Sequence, residues 1–255
     1  MHLLLRIKLH PQLRTLQTQK NLIRNLQREA ARLKGETVSI ANSSDPYPRI
    51  EAETGLTRMC LAILAKHDCR IQIITKSTLI TRDTDLLNKI PCTVALTITT
   101  DDDNTAKLIE PNAPSPTERL KTAETLISKG IPVSARIDPI IPFLNDNPKR
   151  LIAELARIGV KHVTSSTYKI KPDNWQRLAL TMPDIAEKLE PLYSQQGEKT
   201  GGCTLLPKDL RLKLMKNIRS LAMKNGVEFG VCRENLTQLN TAACDGSWLL
   251  NAKQR

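Results

Sequence analysis

Short runs of β-branched and other apolar residues alternate with longer amphipathic segments along most of this 255-residue chain. The runs predict strands at 38–42, 71–75, 93–99, 133–139, 162–167 and 227–231. Apolar residues at helical spacing predict helices near 54–67, 83–89, 116–129, 148–158, 174–190 and 207–225. Because short links join these elements, the alternation indicates βαβ units and a parallel sheet. We therefore expect an α/β fold, a partial TIM-like (βα) barrel of parallel strands with helices outside.

Composition divides the chain into three segments. Residues 1–37 are basic, rich in glutamine and helical in pattern, residues 38–232 form the α/β barrel, and residues 233–255 are a polar tail without clear periodicity. No apolar run approaches the ~20 residues that a membrane-spanning helix needs. We therefore expect a soluble, cytoplasmic protein with no membrane partner.

The chain is strongly basic, with 38 Lys and Arg residues against 26 Asp and Glu residues and a formal net charge of +12. Such an excess favours an anionic partner, and nucleic acid is the obvious candidate. A basic surface that only keeps the protein soluble is the alternative, and charge alone does not separate the two.

The loops that follow the predicted strands are more polar than the loops that precede them. SSDPYPRIE, which ends at Glu51, follows the first strand, and TKS, TTDDDN and DPIIPFLND follow the next three. This asymmetry indicates a ligand site at the carboxyl ends of the strands. Asp45 and Glu51 in the first loop suit a cation, an ammonium group or a sugar hydroxyl, or they only cap the helix that follows.

Six cysteines are scattered along the chain, and none forms a CxxC pair. Cys60 and Cys92 fall within apolar elements, where a small buried hydrophobe is expected. Cys203, Cys232 and Cys244 each lie beside a glycine-containing turn, which makes them weak candidates for metal or cluster ligands. The long spacings between these three are unlike a compact iron–sulfur loop.

An ordered set of motifs resembles the radical SAM proteins of the spore photoproduct lyase-like branch. The set comprises DPYPRIE, TR at 57–58, TKS, RDTDLL at 82–87, TITT, an EP pair at 110–111, Arg119 and PIIPFLND. The resemblance implies a radical SAM barrel that uses S-adenosylmethionine and a [4Fe-4S] cluster to generate a 5′-deoxyadenosyl radical. It also implies a lyase-like enzyme related to DNA repair photolyases, whose substrate here is unknown, with nucleic acid as a candidate.

The same resemblance implies which residues contact S-adenosylmethionine. The implied cofactor-binding residues are Ser44, Asp45, Tyr47, Glu51, Lys76, Ser77, Thr99 and Asn145. The acidic, hydroxyl-rich first turn suits the ammonium group and ribose hydroxyls of the cofactor, and Lys76 suits its carboxylate or ribose. The alternative for each is a local role, such as a helix cap or a solvated surface charge, and a structural ion pair is the alternative for Arg119 with Glu110.

The sequence departs from the family at the cluster, because it contains no CxxxCxxC motif. Either the sequence begins after the cluster loop and lacks the first barrel strand, which we favour, or the chain is a cluster-free relative. In both cases we expect this chain alone not to generate the radical. The alternative function is a non-catalytic, cluster-free α/β module that binds nucleic acid or another anionic partner. A metal-dependent hydrolase using Asp45, Glu51 and His162 is disfavoured, since no two histidines have ligand spacing.

Overall fold

The computed structural model describes residues 16–40 and 44–252. Within this part, six parallel strands form a sheet with the order β1-β2-β3-β4-β5-β8. The strands of this sheet are β1 (Thr37–Ile40), β2 (Arg70–Thr75), β3 (Cys92–Thr97), β4 (Val133–Ile140), β5 (His162–Thr167) and β8 (Glu228–Val231). A separate antiparallel pair is formed by β6 (Glu198–Thr200) and β7 (Cys203–Leu205). The expected α/β fold with a partial TIM-like parallel sheet is confirmed.

Helices follow the strands as the alternation predicted. They are α1 (Leu16–Glu29), α2 (Glu51–Thr54), α3 (Leu56–Leu64), α4 (Thr84–Leu87), α5 (Asp103–Ile109), α6 (Pro116–Ser128), α7 (Lys149–Arg157), α8 (Pro172–Thr181), α9 (Pro183–Ser194), α10 (Lys208–Lys224) and α11 (Leu249–Ala252). Short 3₁₀ helices span Ala30–Leu33, Thr78–Asp83 and Thr237–Leu239. No helix in the described ranges has the length and apolar character to cross a membrane.

One compact unit comprises the described residues up to 96, together with 121–133 and 247–252. In it, β2 pairs in parallel with β1 on one side and β3 on the other. Both faces of β3 are buried, because every residue of CTVALT is shielded from solvent. Such a strand is typical of a parallel sheet covered on both sides, and it explains why the sequence there has no charged residue and no alternation with exposed positions.

The second compact unit comprises residues 97–120 and 134–246. Here β5 pairs in parallel with β4 and β8. Helix α7 buries Leu151, Ile152 and Leu155 on one face. The turn of the β6–β7 hairpin consists of Gly201 and Gly202, both with positive φ, as a two-residue hairpin turn requires.

Three helix predictions differ from the structure in their bounds. The helix predicted at 174–190 is two helices, because Pro183 cannot donate the backbone hydrogen bond that would continue α8 into α9. The helix predicted near 54–67 has a separate turn, α2, before it, and Gly55 in a left-handed conformation (φ 60°) divides the two. The helix predicted at 83–89 is shorter, because α4 spans only Thr84–Leu87 and the 3₁₀ helix Thr78–Asp83 precedes it. Residues 1–15, 253–255 and part of the first predicted strand (41–42) lie outside the described residues.

Candidate functional site

The carboxylate of Asp45 joins the turn after β1 to the turn after β2. Its Oδ1 accepts hydrogen bonds from the Tyr47 amide at 2.9 Å and the Thr75 hydroxyl at 2.6 Å. Its Oδ2 accepts a hydrogen bond from the Lys76 amide at 2.7 Å. Three donors therefore hold one half-buried carboxylate, and the backbone at Lys76 is fixed relative to the first turn.

The TKS turn is further ordered by its own hydroxyls. The Thr75 hydroxyl accepts a hydrogen bond from the Ser77 amide at 2.9 Å, and the Ser77 hydroxyl accepts one from the Leu79 amide at 3.3 Å, at the start of the 3₁₀ helix. Lys76 is half-buried and Ser44 is exposed. Of the predicted cofactor residues, the structure thus brings Asp45, Lys76 and Ser77 together around Thr75, a residue that the sequence did not single out.

Glu51 serves as a helix cap in this structure. Its side chain is 1 % exposed, and its two carboxylate oxygens accept hydrogen bonds from the Thr57 amide at 2.9 Å and the Arg58 amide at 3.3 Å, in the first turn of α3. Arg82 forms an ion pair with the same carboxylate at 2.8 Å and also donates to the Glu51 carbonyl oxygen. These protein donors contact both carboxylate oxygens of Glu51, as the capping alternative expects, and a contact between Glu51 and a cofactor stays a prediction.

A network of ion pairs extends from Glu51 beneath the same turn. Arg82 pairs with the fully buried Asp83 at 2.8 Å, and Arg58 bridges Asp83 at 2.9 Å to the exposed Asp85 at 2.8 Å. The hydrogen bond from Arg58 lowers the pKa of Asp85 to about 2. The TR and RDTDLL motifs therefore lock α3 to the segment before α4 rather than face a ligand.

Tyr47 lies under the first turn and is 3 % exposed. Burial, and then the negative charge of Asp83, raises the pKa of its hydroxyl above the usual value. The Thr57 hydroxyl donates to the Pro46 carbonyl oxygen beside it. This position suits packing of the DPYP turn, and a contact between Tyr47 and a cofactor stays a prediction.

Thr99 and Asn145 lie together in the second unit. The Asn145 side-chain amide donates to the carbonyl oxygens of Thr99 at 2.7 Å and Pro139 at 3.0 Å, and its oxygen accepts from the Ile141 amide at 2.6 Å. The Thr99 hydroxyl donates to Glu110 at 2.8 Å. Asn145 thus binds the PIIPFLND loop to the segment after β3, and cofactor contacts of either residue stay predictions.

Arg119 and Glu110 form the structural ion pair that the sequence left as an alternative. Their closest atoms are 2.6 Å apart, with Arg119 1 % and Glu110 9 % exposed. Arg119 also donates to the carbonyl oxygens of Pro114 at 2.8 Å and Thr97 at 2.9 Å. The guanidinium therefore holds the EP segment against the end of β3.

The face of the sheet formed by β4, β5 and β8 carries polar side chains that the sequence did not point to. Arg136 and Asp138 on β4 form an ion pair at 2.6 Å, and the Ser166 hydroxyl on β5 donates to Asp138 at 2.6 Å. The sequence indicates this face only along β4, where Ser134, Arg136 and Asp138 alternate with apolar residues.

The three candidate ligand cysteines do not form a set. Cys244 lies against Gly230 of β8, two residues before Cys232, whereas Cys203 lies in the β6–β7 hairpin and donates to the Thr200 carbonyl oxygen at 3.1 Å. Among residues 16–40 and 44–252, no group of three or more His, Cys, Asp or Glu side chains is arranged to hold a metal ion. The described thiols therefore do not supply the three thiolates of a [4Fe-4S] site.

Comparison with other sequences gives partial matches, and no protein-family profile matches the chain. An uncharacterised protein of Mycobacterium tuberculosis is 26 % identical over 171 residues, covering 62 % of this chain and 50 % of the relative. An uncharacterised protein of Methanocaldococcus jannaschii is 40 % identical over 115 residues, covering 45 % of this chain and 44 % of the relative. The chain thus spans about half the length of these curated relatives.

Solved structures show the same fold. A spore photoproduct lyase variant superimposes with a TM-score of 0.66 and 16 % identity, covering 84 % of this chain and 66 % of that one. Another variant of that lyase, with AdoMet and a dinucleoside spore photoproduct bound, superimposes with a TM-score of 0.64 and 15 % identity, with the same coverage. A Streptococcus suis protein bound to S-adenosylmethionine superimposes with a TM-score of 0.54 and 15 % identity, covering 85 % of this chain and 44 % of that one. At these identities the likeness establishes the fold alone, which this chain shares with these proteins.

Proposed function

We propose that this chain, which has the radical SAM fold, binds S-adenosylmethionine at the carboxyl end of β2 through the TKS turn. The carboxylate of Asp45 carries the proposal, because its three hydrogen bonds fix the backbone from which the Lys76 side chain leaves. A ligand contact is strengthened when the protein group is already held in place before binding. Solved proteins of the same fold bind this cofactor, which supports the assignment.

The donors near this turn fit S-adenosylmethionine. Its α-carboxylate and ribose hydroxyls are acceptors that suit the Lys76 ammonium group. Ser44 is exposed, and the Ser77 hydroxyl already accepts a hydrogen bond, so each has an O–H to donate to a ligand. Asp45 acts through the backbone that it positions, and Glu51 is left out of the proposed site because protein donors occupy it.

In radical SAM enzymes the cofactor supplies a 5′-deoxyadenosyl radical when an iron–sulfur cluster reduces it. The described residues do not fit such a cluster, since no three thiolates converge among them. No step of this proposal passes through the cluster. The part assigned to this chain is to bind S-adenosylmethionine and to orient its carboxylate and ribose.

For the substrate we propose an anionic molecule, with nucleic acid as the first candidate. The net charge of +12 favours association with a polyanion. The structural likeness to a lyase solved with a dinucleoside photoproduct supports the same class. Such binding weakens steeply with salt, because each phosphate contact releases a condensed counterion.

A second candidate function is a non-catalytic module that binds nucleic acid without S-adenosylmethionine. The observation that favours it is the basic charge combined with the lack of a three-thiolate set in the described residues. Oligonucleotide binding with a steep salt dependence, in a chain that shows no saturable cofactor binding, would select this candidate over the first.

Isothermal titration of the full chain with S-adenosylmethionine tests the first proposal. Replacing Lys76 with alanine removes one charge-assisted hydrogen bond, worth about 1.5–3 kcal/mol, so the Kd should rise about tenfold or more. The matched control is Lys89→Ala, an exposed lysine of the same unit beyond the end of α4, which should leave the Kd unchanged. Equal affinity in the wild type and Lys76→Ala would remove Lys76 from the site.

A further inference from the structure

Two half-buried cysteines meet on the polar face of β4, β5 and β8. Cys232 directly follows β8, and its amide donates to the Ser165 carbonyl oxygen at 2.9 Å, which continues the parallel ladder beyond the pair Val231 and Ser165. The chain at Cys232 therefore keeps the strand direction. Side chains alternate along a strand, so Cys232 points to the same face as position 230.

Position 230 is a glycine, and the backbone of Cys244 lies directly on it. A Cβ atom placed on Gly230 would come within 2.5 Å of the Cα and 2.9 Å of the Cβ of Cys244, closer than real atoms approach. The Thr164 hydroxyl, on the neighbouring strand, donates to the Cys244 carbonyl oxygen at 2.6 Å. Gly230 and Thr164 thus hold Cys244 over position 230, on the face to which Cys232 points from the second position further along the strand.

The charged groups around this pair favour a thiolate at Cys232. Arg136 faces Thr164 in the strand register and pairs with Asp138 at 2.6 Å. The hydrogen bond from Cys244, followed by the charge of Arg136, lowers the pKa of Cys232 to about 6 against the effect of burial. The pKa of Cys244 is raised, chiefly by its hydrogen bond to Cys232, with Asp245 adding to the effect.

We propose that Cys232 and Cys244 are an oxidation site, a dithiol that closes to a disulfide when the protein meets a hydroperoxide. The pair is half-buried, so a small oxidant reaches it, whereas Cys60, Cys69 and Cys92 are buried in the core. Cys244 lies on position 230, which is two residues before Cys232 on the same face of the strand, so the two side chains are neighbours. Closing them brings the two sulfur atoms to the usual S–S length of about 2.05 Å.

The oxidation balances in two steps. The Cys232 thiolate attacks one peroxide oxygen, the O–O bond breaks, and the departing hydroxide takes up a proton to leave as water. The sulfur of Cys244 then attacks the sulfenic sulfur of Cys232, an S–S bond forms, the S–O bond breaks, and a second water leaves. Two thiols lose two electrons and two protons, and hydrogen peroxide is reduced to two waters.

The site is tested by treating the native full chain with stoichiometric hydrogen peroxide, alkylating the remaining thiols, and mapping tryptic peptides without reduction. Trypsin cuts after Arg233, so Cys232 and Cys244 fall in the separate peptides 225–233 and 234–253. The expected result is a linked pair of these two peptides that dithiothreitol releases. Cys203, half-buried in the hairpin, is the accessible single-cysteine control and should stay outside any linkage.

Three variants and one condition make the result decisive. Cys244→Ser should stop at a sulfenic acid on Cys232 that dimedone traps, with no linked peptide. Arg136→Gln should slow linkage about threefold or more, since thiolate fraction and reactivity set the rate, whereas Arg136→Lys keeps a charge and should lie closer to the wild type. Absence of the linked pair, or a yield no higher in the folded chain than in the urea-unfolded chain, would overturn the proposal.

Discussion

Replacing Asp45 with asparagine tests the link between the turns after β1 and β2. Asparagine can keep one oxygen for the Tyr47 amide and the Thr75 hydroxyl, but its NH₂ group then faces the Lys76 amide, which is also a donor. Because one charge-assisted hydrogen bond is lost and a donor is left unpaired, the free energy of unfolding should fall by about 1.5–3 kcal/mol. In a chain of this size each kcal/mol lowers Tm by about 2–4 °C, so a decrease of about 3–12 °C is expected.

The assay is thermal unfolding followed by circular dichroism, with Asp173→Asn as the matched control. Asp173 makes only a surface ion pair with Arg177, with side chains 70 % and 72 % exposed, so its loss should cost about 0.5 kcal/mol or less. Affinity for S-adenosylmethionine should also fall in Asp45→Asn, because the backbone of Lys76 is no longer held. A Tm for Asp45→Asn within the range of the control would refute the claim that this carboxylate fixes the TKS turn.

Three further predictions concern buried groups. Glu51→Gln should destabilise the chain by about 2–3 kcal/mol in urea unfolding, because Arg82 loses one of its two anionic partners, while the cofactor Kd stays within twofold. A large change in Kd with little loss of stability would return Glu51 to the site. Arg119→Met should lower the free energy of unfolding by about 3–5 kcal/mol, because Glu110 is left buried without its cationic partner. The double variant Arg119→Met with Glu110→Gln should recover part of this loss in the same assay. Burial lowers the pKa of His162 to about 4, so below pH 6.5 the unfolded chain binds a proton that the folded chain does not. The free energy of unfolding should therefore fall by about 2 kcal/mol from pH 6.5 to pH 5 in the wild type and by less in His162→Asn. The same pH dependence of this free energy in both proteins would contradict this.

The sheet could be predicted because its signals are local. The run CTVALT consists only of apolar and β-branched residues, which marks a strand buried on both faces. Helical spacing in ERLKTAETLISKG predicted α6 to within a residue. Pro183 indicates the break between α8 and α9 in the sequence, but the continuous amphipathic pattern around it favours a single helix. The β6–β7 hairpin was missed because three-residue strands are too short to show alternation.

The site was only partly predictable, because its contacts join residues far apart in the sequence. The polar turns were visible, and Asp45 and Lys76 were named, but the hydrogen bond between them spans 31 positions and needs the strand order to be known. The choice between cap and ligand for Glu51 depended on Arg82, which the fold brings back from the next loop. The meeting of Cys232 and Cys244 likewise depends on Gly230, whose missing side chain carries no pattern of its own.

The most direct test of the account is a crystal structure of the full chain grown with S-adenosylmethionine or, as a stable analogue, S-adenosylhomocysteine. The account predicts the ligand at the carboxyl end of β2, with the Lys76 ammonium group within hydrogen-bond distance, about 2.7–3.2 Å, of its carboxylate or a ribose hydroxyl. It also predicts that Asp45 keeps its three bonds to Tyr47, Thr75 and Lys76. A ligand bound elsewhere, or a saturated crystal in which Lys76 contacts no ligand atom, would contradict it.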